Sequence, residues 1–182
     1  TMKEMHIQVE KPQSAITRMA MQAAGNDDNV RRKPQPLSDI NATQEPRMDL
    51  RDGELNRVLG GGLVPGSLVL LGGEPGIGKS TLVLQTVLAL TDKRVLYVSG
   101  EESARQIKLR AERLAPTTSQ EDREEMLVFT ETSLEQIYLQ IQETQPDLVV
   151  IDSIQTISTE GVESSPGSLS QIRECAASLL RY

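Results

Sequence analysis

The stretch from Gly73 to Ser80 restricts the possible folds of this 182-residue chain more than any other feature. It reads GEPGIGKS and matches the pattern G-x-x-x-x-G-K-S/T, in which glycines let successive backbone N–H groups point inwards. An apolar run, residues 68–71, precedes it, and a segment with helical spacing, residues 81–90, follows it. A glycine-rich turn that leads into a helix is an anion site, because the helix end carries unpaired N–H donors. The stretch therefore predicts a loop that binds nucleotide phosphates.

The residues of this loop are expected to divide the contacts with a nucleotide among them. Lys79 would reach the β- and γ-phosphates, the Ser80 hydroxyl would coordinate Mg²⁺, and Thr81 would hydrogen-bond the α-phosphate. These contacts predict ATP and Mg²⁺ as cofactors. The candidate nucleotide-binding residues are Gly73, Glu74, Pro75, Gly76, Ile77, Gly78, Lys79, Ser80 and Thr81.

Short apolar runs alternate with amphipathic segments from residue 50 onwards. Each run is continuous and partly β-branched, as in strands that are buried on both faces. The runs are residues 68–71, 95–98, 127–129 and 148–151. Three helical segments also begin with a serine and a glutamine at the spacing of a capping box, in which each side chain accepts from the other residue's backbone N–H. These pairs are Ser103 with Gln106, Ser133 with Gln136, and Ser168 with Gln171. The alternation predicts an α/β fold with a mostly parallel sheet flanked by helices.

The first 49 residues show neither the 2-residue hydrophobic period of a strand nor the 3.6-residue period of a helix. Residues 1–49 contain four prolines and a basic triplet at residues 31–33, with one candidate helical stretch around residues 14–24. Such a composition is typical of a segment that does not pack a core of its own. We interpret residues 1–49 as a flexible N-terminal linker or tail and residues 50–182 as a domain.

An acidic residue, Asp152, follows the apolar run at residues 148–151. Ligands of open α/β sheets bind at the edge where the carboxyl ends of the strands lie. A carboxylate there can position Mg²⁺ through water, as a Walker B aspartate does. We therefore predict Ser80 and Asp152 as the metal ligands.

Two further acids, Glu101 and Glu102, follow the run at residues 95–98 and would lie at the same edge. A carboxylate in this place can orient the attacking water or accept its proton. An acid next to the capping serine Ser103 also stabilises a helix N-terminus without any catalytic role. We favour Glu101 as the catalytic acid, with Glu102 as the alternative, so that the candidate catalytic residues are Lys79, Glu101 and Asp152.

The composition excludes several classes of protein. The chain has no run of about 18 apolar residues that could span a bilayer, and its N-terminus lacks the apolar segment of a secretory signal. Its one cysteine, Cys175, excludes a disulfide framework and a self-contained Cys₄ zinc site. We expect a cytoplasmic chain without a membrane partner. The net charge of −7 argues weakly against nucleic acid as a partner, because nucleic-acid binders usually carry an excess of positive charge.

Residues 53–67, GELNRVLGGGLVPGS, run straight into the phosphate loop and closely resemble the RadA (Sms) family of bacterial DNA repair proteins. Residues 98–103, 150–156 and 166–174 match the same family, and the resemblance covers roughly residues 36–182. This family belongs to the RecA-like ATPases and is similar to hexameric DnaB-type helicases. The resemblance therefore implies a RecA-like P-loop NTPase core.

The resemblance also implies a function and a set of partners. It implies ATP-driven branch migration of recombination intermediates, with single-stranded DNA as the track, a homo-hexamer and a recombinase of the RecA type as partner. Residues 153–167 correspond to the first DNA-binding loop of RecA-like proteins. They contain Glu160 and Glu163 but neither lysine nor arginine, and Arg173 is the nearest basic candidate.

Members of the RadA family are longer than this chain. They begin with a Cys₄ zinc finger and continue with further ATPase strands and a Lon-protease-like domain. By analogy with RecA-like sheets, a strand after Tyr182 would lie between residues 68–71 and 148–151. We therefore expect residues 50–182 to be the N-terminal part of an ATPase domain, and this truncated chain to hydrolyse ATP weakly or not at all by itself.

Two other functions remain open at this point. The first is a RecA-fold regulatory ATPase or nucleotide switch with a protein partner, which would explain the negative charge and the acidic loop. The second is an inactive fragment that only binds nucleotide.

Overall fold

The computed structural model describes residues 36–39, 46–115 and 125–182. The candidate helical stretch at residues 14–24, and most of the predicted linker, lie outside these described residues. The strands are β1 (Val95–Ser99), β2 (Met126–Phe129) and β3 (Leu148–Asp152). The α-helices are α1 (Gly53–Val58), α2 (Lys79–Leu88), α3 (Ala104–Leu114), α4 (Leu134–Thr144) and α5 (Leu169–Arg181). Short 3₁₀ turns occupy Leu37–Asp39 and Ile154–Thr156.

The three strands form one parallel sheet in the order β2-β1-β3. Val95 on the central strand stands opposite both Met126 and Leu148, and Ser99 stands opposite Asp152. Parallel strands place their carboxyl ends at one edge, and that edge here carries Ser99 and Asp152. The predicted α/β class with a parallel sheet is confirmed.

Helices cover both faces of the sheet. Alternate side chains of each strand point to opposite faces, and apolar side chains on both faces pack against helices. On one face, the buried strand residues Val95 and Tyr97 pack with Leu84 of α2 and Ile107 of α3. On the other face, Leu96 and Val98 pack with α4 and α5 through the cluster that also holds Leu134, Ile137, Tyr138 and Cys175. Every residue of β1 is buried, which explains the continuous apolar run at residues 95–98.

The prediction of a strand at residues 68–71 is wrong for the described structure. These residues form no ladder, and their side chains are exposed, with Leu70 at 81%. A strand exists only where a neighbour accepts and donates ladder hydrogen bonds, and no described segment pairs with these residues. An apolar run predicts which residues are suited to burial, but it does not predict whether a neighbouring strand is present to pair with them.

The serine caps are confirmed at all three helices, but the complete capping box is confirmed at one. Ser103 and Gln106 bond reciprocally at the start of α3. At α4, the N–H of Ser133 donates to the Glu131 carboxylate instead of to the predicted glutamine. At α5, the amide of Gln171 turns inwards to the loop before the helix. Nearby polar partners therefore outcompete the glutamine half of the motif at two helices.

Helix α2 begins at Lys79, two residues earlier than the pattern predicts, and ends at Leu88. Among the described residues, no helix is both long enough and apolar enough to cross a membrane.

The single cysteine offers a direct test of how α5 packs. Cys175 is fully buried, and its thiol donates to the carbonyl of Ile157 over 3.7 Å. Burial raises the pKa of the Cys175 thiol to about 11, and the carboxylates of Glu135 and Glu174 contribute to that shift. We expect the native thiol to react with Ellman's reagent at least about a hundredfold more slowly than the thiol of the urea-unfolded chain, because the thiolate is the reactive form. Equal rates in both states would show that α5 does not pack against the sheet.

Candidate active site

The phosphate loop ends at an uncapped helix N-terminus. Gly78 precedes α2 with a φ of 99°, a conformation that residues with a side chain rarely adopt. Within the described residues, no side chain caps this end of α2. A Cβ placed on Gly76 or Gly78 would meet nothing within 4 Å, so the space in front of the helix is open. Free N–H donors facing an open space at a positive helix end suit a phosphate group.

Lys79 folds back over the loop that precedes it. Its ammonium nitrogen donates to the carbonyl oxygens of Gly73 and Glu74, both over 2.8 Å. These two bonds tie the start of the loop to the start of α2. The positive charge therefore stands at the mouth of the same cradle as the helix N–H groups.

The structure brings Ser80 and Asp152 together, although they lie 72 positions apart in the sequence. The Ser80 hydroxyl donates to Asp152 Oδ1 over 2.9 Å, at the point where β3 ends beside the first turn of α2. A hydroxyl and a carboxylate are both hard oxygen donors, and Mg²⁺ usually takes one or two such protein ligands together with substrate phosphates. The donor set therefore fits the predicted Mg²⁺.

The second oxygen of Asp152 is held as well. Tyr97 of β1 donates its hydroxyl hydrogen to Asp152 Oδ2 over 2.6 Å. Burial raises the pKa of Tyr97 well above its ordinary value, and the hydrogen bond to Asp152 raises it further. The tyrosine therefore remains a neutral donor, and both carboxylate oxygens of Asp152 have a fixed partner.

The two candidate catalytic acids have different surroundings. Glu102 pairs with Arg110 over 2.7 Å, and the side chains of the two residues are only 33% and 14% exposed. Glu101 is exposed, and its Oε1 accepts from the hydroxyl of Ser153, the residue that follows Asp152. Glu102 is thus committed to an ion pair, whereas Glu101 contacts the residue next to Asp152 and faces solvent.

Gly100 lets the segment after β3 approach Glu101. A Cβ on Gly100 would lie 2.6 Å from Thr156 Cβ and 2.9 Å from Thr132 Cγ2, distances that no real side chain tolerates. The absence of a side chain here brings the turn at Ile154–Thr156 against the end of β1. Ser153 can therefore reach Glu101 across the sheet edge.

Comparison with known proteins places the chain in a family. A family model described as AAA domain matches residues 27–181. The chain belongs to this AAA domain family. Its relatives include proteins named DNA repair protein RadA from Halalkalibacterium halodurans (53% identical over 151 residues), Bacillus subtilis (51% over 151 residues) and Escherichia coli (50% over 151 residues). Each match covers 82% of this chain and 32% of the relative. The predicted resemblance to the RadA family is confirmed, and the chain spans about a third of the length of these relatives.

The loop that follows β3 in this AAA domain is tied down at its base. The buried amide of Gln171 donates to the carbonyls of Thr159, Val162 and Ser164 and accepts from the N–H of Thr159. Glu135 accepts from the Thr159 hydroxyl over 2.8 Å. The loop's two acids, Glu160 and Glu163, are exposed, as is Arg173 on α5. The described loop thus presents negative charge from a rigid base.

Sequence reasoning missed three residues of this AAA domain site. Tyr97 belongs to an apolar run and was interpreted only as a buried strand residue. Arg110 lies among the polar residues of an amphipathic helix, where an arginine is ordinary. Ser153 was quoted only for the family resemblance. One signal was available for Tyr97, since it lies two residues before Ser99 and therefore on the same face of β1. No pattern in the sequence indicates the contact between Arg110 and Glu102.

Proposed function

We propose that this AAA domain binds and hydrolyses ATP as part of a DNA repair motor of the RadA type. The observation that carries the proposal is the 2.9 Å contact between Ser80 of the phosphate loop and Asp152 at the end of β3. In P-loop NTPases these two positions hold the metal that accompanies the nucleotide. A turn of glycines alone would not need a carboxylate from a strand 72 residues away.

Each residue of the proposed site has a task that its geometry supports. The loop N–H groups and Lys79 would bind the phosphates, and Ser80 and Asp152 would hold Mg²⁺. When bound, the metal neutralises charge on the β- and γ-phosphates. Glu101 would orient water or accept its proton, since it is exposed beside Asp152, while Glu102 is engaged with Arg110.

The finer function comes from the relatives and from the resemblance. We propose ATP-driven branch migration of recombination intermediates on single-stranded DNA, in a homo-hexamer that works with a recombinase of the RecA type. DNA repair in bacteria takes place where the chromosome lies, so we place the protein in the cytoplasm. The names of relatives at 50–53% identity support the DNA repair role.

A nucleotide switch with a protein partner is the second candidate. The net charge of −7 and the exposed acids Glu160 and Glu163 favour it, since phosphate contacts normally come from lysine and arginine. An inactive nucleotide-binding fragment is the third.

A chimera separates these functions. This chain would replace the matching 151 residues of the Bacillus subtilis relative, to which it is 51% identical. A motor predicts ATP hydrolysis that single-stranded DNA stimulates, measured as phosphate release with and without the DNA. Hydrolysis without stimulation would favour the switch, and nucleotide binding without hydrolysis would favour the inactive fragment. The unaltered relative serves as the positive control.

A further inference from the structure

A row of polar side chains continues behind the Asp152 carboxylate, between β1 and α3. Arg110 lies 2.7 Å from Glu102 and 3.5 Å from the hydroxyl oxygen of Tyr97, whose hydrogen points to Asp152. Arginine has only N–H donors, and a carboxylate only accepts. The hydroxyl of Tyr97 therefore has a single orientation, in which it accepts from Arg110 and donates to Asp152.

The position of the Tyr97 hydroxyl is fixed by the sheet. Tyr97 is completely buried and lies on the central strand, opposite Val128 on one side and Val150 on the other. Ladder hydrogen bonds on both sides hold its backbone, and close packing holds its ring. The hydroxyl is thus a rigid donor, placed diagonally across from Asp152 on the same face of the sheet.

The Asp152 carboxylate needs such a donor, because without one it could rotate about its last side-chain bond. The torsion that turns a carboxylate about its last bond has a broad, shallow preference. Asp152 also stands at the last position of β3, and β3 is an edge strand of the described sheet. The Ser80 bond fixes one oxygen, and the Tyr97 bond fixes the other.

We propose that Tyr97 is a positioning residue for the metal site, and that its hydroxyl holds the Asp152 carboxylate with Oδ1 facing Ser80. This inference rests on the proposed function, because it takes Ser80 and Asp152 as the Mg²⁺ ligands. Tyr97 itself touches neither the nucleotide nor the metal. Its effect reaches the site through Asp152 alone.

The Tyr97→Phe variant removes one oxygen atom and keeps the buried ring. We expect the Mg²⁺ concentration that gives half-maximal binding of a non-hydrolysable ATP analogue to rise about tenfold, because a hydrogen bond to a charged group is lost. Binding of the same analogue in EDTA should stay within about twofold, since the phosphate loop is untouched. Calorimetric titrations at a series of Mg²⁺ concentrations measure both quantities. Circular dichroism melting checks that the variant folds.

Tyr138→Phe is the matched control. Tyr138 is also buried, at 2% exposure, and its hydroxyl donates to the Ser178 hydroxyl over 2.9 Å on the opposite face of the sheet. Loss of this hydroxyl should affect stability in the same way and leave the Mg²⁺ dependence unchanged. If both variants shifted the Mg²⁺ dependence equally, the effect would be one of general stability, and the positioning role would be wrong.

A double-mutant cycle with Asp152→Ala, which removes the acceptor of the Tyr97 hydroxyl, tests the route of the effect. If Tyr97 acts only through the carboxylate, Tyr97→Phe should change the Mg²⁺ dependence by less than about twofold in the Asp152→Ala background. An undiminished tenfold effect there would overturn the inference. The two proposals also fail differently. A wild-type chain that binds no Mg²⁺–nucleotide contradicts the proposed function, whereas a wild-type chain that binds it with the same Mg²⁺ dependence as Tyr97→Phe contradicts only the role of Tyr97.

Discussion

Replacing Lys79 by alanine is expected to weaken ATP binding at least about a hundredfold, which corresponds to roughly 3 kcal/mol. The ammonium group is the one side-chain cation of the phosphate loop, and its nitrogen sits 2.8 Å from two loop carbonyls at the mouth of the cradle. The variant loses a charge-assisted contact to the phosphates, and it also loses the bonds that close the loop onto α2. Both losses act in the same direction. Isothermal titration of ATP in the presence of Mg²⁺ measures the effect.

Lys93→Ala provides a comparison for the loss of a lysine. Lys93 lies near the start of β1 and pairs with Asp92 over 3.4 Å, away from the phosphate loop. Its replacement removes the same charge from the chain and should leave ATP affinity unchanged within about twofold. Equal affinities of wild type and Lys79→Ala would contradict the assignment of residues 73–81 as the nucleotide site. Equal losses in both variants would show that net charge, and not the loop, governs binding.

Local sequence patterns predicted those parts of the fold whose cause is local. Continuous apolar runs predicted all three described strands, because strands that helices cover on both sides have no polar face to show. The serines at the helix starts were found because a cap bonds only three residues ahead. The apolar run at residues 68–71 failed as a strand because pairing depends on a neighbour distant in the sequence. The same limit explains why Gln136 and Gln171 did not complete their predicted capping boxes.

The residues of the candidate site also fall into those that a local pattern predicts and those that depend on distant contacts. The loop at residues 73–80 and the position of Asp152 could be predicted, since the loop is defined by a motif and Asp152 by its place at the end of β3. The network of Tyr97, Arg110 and Glu102 was not, because packing brings together side chains from β1, from α3 and from the loop between them. That network bears on an ambiguity which the sequence left open. It gives Glu102 a partner and leaves Glu101 exposed beside Ser153.

Glu101→Gln is expected to lower ATP turnover of the Bacillus subtilis chimera at least about tenfold, or roughly 1.4 kcal/mol of barrier, while ATP affinity is kept. The amide preserves the size of the side chain and can still accept from Ser153, but it cannot take a proton from water. Glu101 is exposed and makes no ion pair in the described structure. The melting temperature of the Glu101→Gln variant should therefore equal that of the unsubstituted chimera. Phosphate release under saturating ATP, with calorimetry for affinity, measures the two effects separately.

Glu102→Gln should give the opposite pattern. Its carboxylate pairs with Arg110, whose Nε is buried and has no hydrogen-bond partner among the described residues. Loss of the negative charge leaves that guanidinium uncompensated in a partly buried place, so the variant should be less stable by about 1 kcal/mol. Turnover should fall less than about twofold at a temperature where the variant is folded, because the Glu102 carboxylate is engaged with Arg110 and bonds to neither Ser80 nor Asp152 in the described structure. If Glu102→Gln alone abolished turnover, the catalytic acid would be Glu102, and the ion pair with Arg110 would have to open before ATP is hydrolysed.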